Sequence, residues 1–199
     1  MSKNMSKDIG NLTKFLFEVG QLKKVKRSGW WLANISNPES VADHSHRTAV
    51  IAYILAEMEG SPYAKDIAIT ALFHDLIEAR LLDLHKVHTK YSRVSDEAKE
   101  KVREEQYALL PERIRKDLLE NVKIAKKNKD IIKDADYLEV AFQAKEYSEA
   151  GWKDAEDWIK RVGGVLKTKS ARQLYEKMKK TKSTAWWYGL KQQVKELKY

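Results

Sequence analysis

Apolar residues recur three and four positions apart along most of this 199-residue chain, the spacing that lines one face of a helix with about 3.6 residues per turn. Only three prolines and eight glycines are available for tight turns, too few for the closely spaced reversals of a sheet protein. The predicted class is therefore all-α. A chain of this length can bury one sizeable core, so a single domain over 1–199 is expected, with a motif-bearing core at about 10–150 and further helices at about 151–199.

Ile9, Leu12, Phe15, Leu16 and Val19 mark one face of a first helix that should end near Gly20, followed by a basic connector over 23–29. Ser40 can cap a second helix with Asp43 three residues on, and that helix runs to about Gly60. Pro62 suits the first turn of a third, whose Ile67, Ala68, Ala71, Leu72 and Leu76 form an apolar face around His74 and Asp75. Residues 81–95 lose the helical period and read as a surface loop holding His85, His88, Lys86 and Lys90. Helical patterns return over 96–110, 111–127, 130–150, 155–166 and 170–197. Trp186, Trp187 and Tyr188, like Trp152 and Trp158, are expected to pack in the core or between subunits.

The chain has no cysteine, which excludes disulfides, thiolate metal ligands and a cysteine nucleophile. It has neither the ~20 consecutive apolar residues of a membrane span nor a hydrophobic stretch near its start, so the expected setting is cytoplasmic. The formal charge of +9 favours anionic ligands such as phosphates. It is spread along the chain, as on an ordinary solvated surface, and no nucleic-acid-binding signature accompanies it.

The chemistry-bearing residues are histidines and carboxylates. His74 and Asp75 lie within the apolar run 71–78, and His44 and His46 follow Asp43 upstream. Imidazole nitrogen and carboxylate oxygen together suit a borderline divalent cation. On a helix His74 and Glu78 would stand one turn apart, with Asp75 about 100° round the axis. His44 and His46 would be about 200° apart, so both could hardly reach one ion. Asp134 and Asp136 are equally placed as later acids.

Read in order, Arg27-Ser28-Gly29-Trp30, Asp43-His44-Ser45, His74-Asp75-Leu76-Ile77-Glu78 and Asp134-Ala135-Asp136-Tyr137-Leu138-Glu139 resemble the HD-domain phosphohydrolases, most closely their 5′-deoxynucleotidase-like branch. The resemblance implies a helical HD-domain fold and a divalent metal (Mn, Co, Mg, Ni or Zn) held by His44, His74, Asp75 and Asp136. It also implies catalytic roles for Glu78 and Asp75, a phosphate contact from Arg27, a sugar-facing Trp30, a sugar contact from Asp83, a further substrate contact from Lys90, and a homodimer. The implied reaction releases phosphate from deoxynucleoside 5′-monophosphates. Nucleoside triphosphate or phosphodiester hydrolysis is the neighbouring alternative, and a non-catalytic basic nucleic-acid-binding module the distant one. One departure stands out: relatives carry glycine before the loop aspartate, where this chain has Leu82 before Asp83. Leucine resists positive φ, so the loop is expected to enter the site along a different path.

Overall fold

The computed structural model describes residues 3–193 and contains no strand among them. Its helices are α1 (Lys3–Val19), α2 (Val41–Met58), α3 (Ala64–Phe73), α4 (Glu78–Leu81), α5 (Lys86–Thr89), α6 (Asp96–Tyr107), α7 (Glu112–Lys127), α8 (Lys129–Glu149), α9 (Glu156–Gly163), α10 (Lys169–Lys180) and α11 (Tyr188–Gln193). The all-α expectation holds, and several boundaries move.

α2 is the central element and packs against both α3 and α8, while α8 in turn carries α9 and α10. Alanines at 52 and 56 on α2 and at 135 and 141 on α8 are fully buried, and their small side chains let the helices approach closely. Leu55, Ile67 and Leu138 fill the remaining space with no exposed surface, each contributing about 1.5–3 kcal/mol of burial. A second cluster gathers Phe15, Leu22, Val25, Val41, Leu76, Tyr107 and Leu118 around the start of α2. A third joins Trp30, Ala33 and Ile35 to Ala144 and Ala155. Leu16, expected on the packed face of α1, is 61% exposed.

The N-terminus of α2 is built by local chemistry. The Ser40 side chain accepts from the Asp43 backbone N–H, and the Asp43 carboxylate accepts from the Ser40 N–H at 2.9 Å, closing a capping box. The connector is tied to the same point, since the Arg27 N–H donates to Glu39 O at 3.1 Å and the Val41 N–H to Val25 O at 2.9 Å. Arg27 is thereby fixed beside the start of α2, the helix that carries His44.

α3 stops at Phe73 rather than running through Leu76. The His74 Nδ1–H donates to Ala71 O at 2.6 Å, competing for the carbonyl that the next helical turn would use. Three-residue bonds follow, with the N–H groups of Leu76, Glu78 and Ala79 donating to Phe73, Asp75 and Leu76. The loop expected over 81–95 contains α5, whose start is capped by His85 Nδ1 accepting from the His88 N–H at 3.1 Å.

The long helix expected over 170–197 ends at Lys180, and α11 begins at Tyr188; positions 194–197 lie outside the described residues. The Glu149 carboxylate accepts from the Ser183 N–H at 2.8 Å and hydroxyl at 2.6 Å, holding the intervening turn against α8. Trp186 is 76% exposed, so its expected place in the core is corrected. Trp158 does pack in the third cluster, against Trp30.

Candidate metal centre

His44 enters from the first turns of α2, His74 and Asp75 from the broken end of α3, and Asp136 from α8. One donor atom from each of His44, His74 and Asp75 lies within 4.8 Å of the others. His74 Nε2 is 3.1 Å from Asp75 Oδ2, and His44 Nε2 is 3.6 Å from Asp75 Oδ2 and 3.2 Å from Asp136 Oδ1. The two imidazoles thus turn Nε2 towards shared carboxylates, while each Nδ1 is committed elsewhere.

The second nitrogen of His44 is held by a layer that sequence reasoning missed. Fully buried Glu139 places Oε2 2.5 Å from His44 Nδ1. Its Oε1 accepts from Arg47 Nε at 2.9 Å, and Arg47 also donates to Glu146 and Gln143, each at 2.7 Å. A signal was present: Glu139 follows Asp136 by three positions, and Arg47 follows His44 by three, so each shares a helix face with a donor. Glu39, His44 and Glu139 form another group able to surround a cation. Arg47 already supplies positive charge to Glu139 there, so the geometry fits an outer layer better than a second ion.

The electrostatics suit a site for a cation. Burial works against a charged His44 imidazole, yet hydrogen bonds to Asp136 and Glu139 outweigh it and lift the pKa to about 10. Burial also opposes charge on Asp75 and Asp136, but His74 beside the first and His44 beside the second hold both carboxyls below their ordinary range. Glu78 goes the other way: burial first, then Asp75 and Asp83, push it up to about 9. Its Oε2 is buried without a hydrogen-bond partner. A set of two nitrogen and two oxygen donors suits a divalent ion, which would offset the negative charge of these carboxylates and favour the deprotonated donors.

Arg27 lies at the edge of the cluster, its NH1 3.3 Å from Asp83 Oδ2 and 3.7 Å from Asp75 Oδ2. Burial disfavours its charge, but Asp83 and Asp75 more than compensate and hold it protonated. In the loop, Leu82 adopts φ 62 and ψ 161, a backbone conformation that favours glycine. Ser28 clamps the result, donating its hydroxyl to Asp83 O at 2.7 Å and accepting from the His85 N–H at 3.0 Å.

Trp30 and Lys90 are placed differently from expectation. Trp30 is 2% exposed, packs against Tyr147 and Trp158, and donates its indole N–H to Glu39 at 2.9 Å. A ring enclosed in this way has no face left for a sugar. Lys90 is exposed, its Nζ 5.7 Å from the centroid of the exposed Tyr91 ring, and no contact among the described residues links it to the cluster. His46 is exposed, away from the His44 side of α2. Asp134 is 1% exposed and turned to the start of α10, accepting from the N–H groups of Lys167 and Thr168 and from the Thr168 hydroxyl.

A helical fold with a His-Asp pair at its centre defines the class, and the comparisons agree. A family model described as HD domain matches residues 19–179; the chain belongs to the HD-domain family. It is 30% identical over 182 residues to the human protein named 5′-deoxynucleotidase HDDC2, covering 87% of each chain. A solved predicted coding region of Archaeoglobus fulgidus is 32% identical, with a TM-score of 0.60 over 89% of this chain and 99% of that one. The cyanophage S-2L HD phosphohydrolase DatZ, solved with dA and one catalytic Zn²⁺, shares the fold at 19% identity and a TM-score of 0.53, over 83% of this chain and 96% of that one.

Proposed function

We propose that this protein is a divalent-metal-dependent phosphohydrolase releasing phosphate from deoxynucleoside 5′-monophosphates, with His44, His74, Asp75 and Asp136 holding the ion. The observation carrying the proposal is the convergence of His44, His74 and Asp75 donor atoms within 4.8 Å, with Asp136 3.2 Å from His44. The substrate class is supported by the likeness to the human 5′-deoxynucleotidase HDDC2 over 87% of both chains.

A divalent ion in such a site supplies positive charge to a phosphate oxygen and lowers the pKa of water. The chain's own groups do the rest. Glu139 keeps the His44 proton on Nδ1, so that Nε2 presents a lone pair. Glu78 is kept protonated by burial and by repulsion from Asp75 and Asp83; with that repulsion offset, its free Oε2 can orient attacking water and take its proton. Arg27 turns a charged fork towards the phosphate, and Asp83, fixed by Ser28, accepts a sugar hydroxyl. Trp30 acts by fixing Glu39, and Lys90 is left outside direct contact. The proposal includes a cytoplasmic homodimer; an exposed apolar strip along α2 (Val50, Tyr53, Ile54, Met58) is a surface that a second copy could cover.

Purified protein supplied with Mn²⁺ or Co²⁺ is expected to release phosphate from deoxynucleoside 5′-monophosphates in preference to triphosphates and phosphodiesters. Asp75→Ala should lower the rate by more than about 100-fold, beyond the effect of an outer-layer change, with an unchanged circular dichroism spectrum. Full activity after exhaustive chelation, or in Asp75→Ala, would remove the mechanism.

A further inference from the structure

Gln106 on α6 has no exposed surface, and its side chain reaches the stretch between α3 and α4. The Nε2 amide donates to Leu76 O at 3.0 Å and to Glu18 Oε1 at 2.8 Å. Both partners only accept, which fixes the orientation of the amide. Its Oε1 is left buried, with no hydrogen-bond partner among the described residues. Glu18 is held in turn by Arg80 on α4, whose Nε and NH2 donate to its two oxygens at 2.6 and 2.9 Å while NH1 donates to Glu105 at 2.6 Å. The Arg80 hydrogen bonds, opposed by burial and aided by Gln106, hold the Glu18 carboxyl below its ordinary pKa. α1 and α6 thus grip the chain after His74 and Asp75 at two points, the Leu76 carbonyl and the Arg80 guanidinium.

A buried amide oxygen without a donor costs stability. An apolar side chain of the same length would avoid that cost and orphan neither partner. Leu76 O also accepts from the Ala79 N–H at 3.1 Å, and Glu18 would keep both Arg80 bonds. The fold by itself therefore does not call for glutamine at this position. What glutamine adds is a fixed distance from α6 to a carbonyl that lies between Asp75 and Glu78, in a stretch beyond the end of α3 at Phe73. We propose that Gln106 is a positioning residue of the metal centre: by holding Leu76 O it sets where Asp75 presents its carboxylate to the ion and where Glu78 stands. The inference rests on the metal-site reading above and deepens it. Gln106 acts through the backbone, so its effect falls on the two carboxyl groups that flank the carbonyl it holds.

Gln106→Met keeps the length and volume of the side chain and removes both hydrogen bonds. The urea midpoint of the variant should equal or exceed that of the wild type, because the unpaired oxygen goes with the amide. Affinity for Mn²⁺, measured by competition with a chromogenic chelator, should weaken about 10-fold. On deoxynucleoside 5′-monophosphates kcat should fall about 10-fold while KM stays within about two-fold. Unchanged Mn²⁺ affinity would overturn the inference, as would a rise in KM at unchanged kcat. A midpoint lowered in both Gln106→Met and Gln106→Leu would also overturn it, by giving the residue to the fold; the second variant separates a misfit of methionine from loss of the hydrogen bonds. Should the wild type release no phosphate, the function proposed above would fail, while the midpoint and the Mn²⁺ affinity would still decide this inference.

Discussion

Leu82 offers a direct test of how the loop reaches the site. With φ 62 and ψ 161 it occupies a region essentially reserved for glycine, where a side chain adds about 1–3 kcal/mol of strain. The side chain recovers little, being 58% exposed; with full burial of a leucine at about 1.5–3 kcal/mol, its share is about 1 kcal/mol. Leu82→Ala gives up that contact and keeps the strain, so stability should fall by about 1 kcal/mol. Leu82→Gly removes the strain but adds about 0.5–1 kcal/mol of unfolded-chain freedom. The glycine variant should therefore exceed the alanine variant by about 1–2 kcal/mol and come close to the wild type.

Urea unfolding of the three proteins reads this out as a shift in midpoint at constant slope. The Ala-to-Gly step isolates the backbone, because neither residue carries the leucine contacts. A glycine variant no more stable than the alanine one would refute the strained conformation, and with it the account of how Asp83 comes to face Arg27. Phosphate release by the glycine variant should stay within a few-fold of wild type, since Ser28 still holds Asp83 O and the His85 N–H.

Glu139→Gln should weaken metal binding by about 10-fold and Glu139→Ala by about 10–100-fold, measured by competition with a chromogenic chelator; unchanged affinity in both would show that the carboxylate does not position His44. Glu149 is held at about 2 by the Ser183 hydroxyl and then by Lys145, below its ordinary 4.5. A depressed carboxyl contributes stability above the unfolded value and loses it on acidification. The advantage of wild type over Glu149→Gln, under about 1 kcal/mol for so accessible a group, should fade as pH drops from about 4.5 towards 2, and thermal unfolding across that range would detect a constant difference if the reasoning is wrong.

What could be read in advance was local. Ser40 and Asp43 form their box within one turn, so the short run 40–43 sufficed to mark the start of α2 and to put His44 just inside it. The break at Phe73 depends on a side chain, His74, competing for a carbonyl three residues back, which periodicity does not register. The end of α10 depends on Glu149 reaching Ser183 across 34 positions, and Asp134 differs from Asp136 only because α10 begins beside one of them. Trp30 carries a similar lesson: its neighbours Tyr147 and Trp158 come from distant segments, so nothing near position 30 told an enclosed ring from an open one. At Leu82 the energy penalty against positive φ was legible, but the contacts that hold the loop come from Ser28, 55 and 57 positions away from its partners Asp83 and His85.

The charge distribution ties the centre to its substrate. The chain as a whole carries +9, which draws phosphate esters towards it. Around His44, however, the carboxyls of Asp75, Glu78, Asp83, Asp136, Glu39 and Glu139 gather with only Arg27 and Arg47 as fixed cations among the groups that perturb them. An anionic phosphate would be repelled from so acidic a place. Despite burial, neighbouring carboxylates raise the pKa of His44 and His74, and burial with neighbouring carboxylates raises that of Glu78, the direction expected where negative charge is in surplus. A dication held by the four donors would supply the offsetting positive charge more compactly than protons can, beside Arg27, whose NH1 lies 3.7 Å from Asp75 Oδ2. The same carboxylates that would repel the substrate by themselves are thus the reason that the ion and the phosphate should bind together.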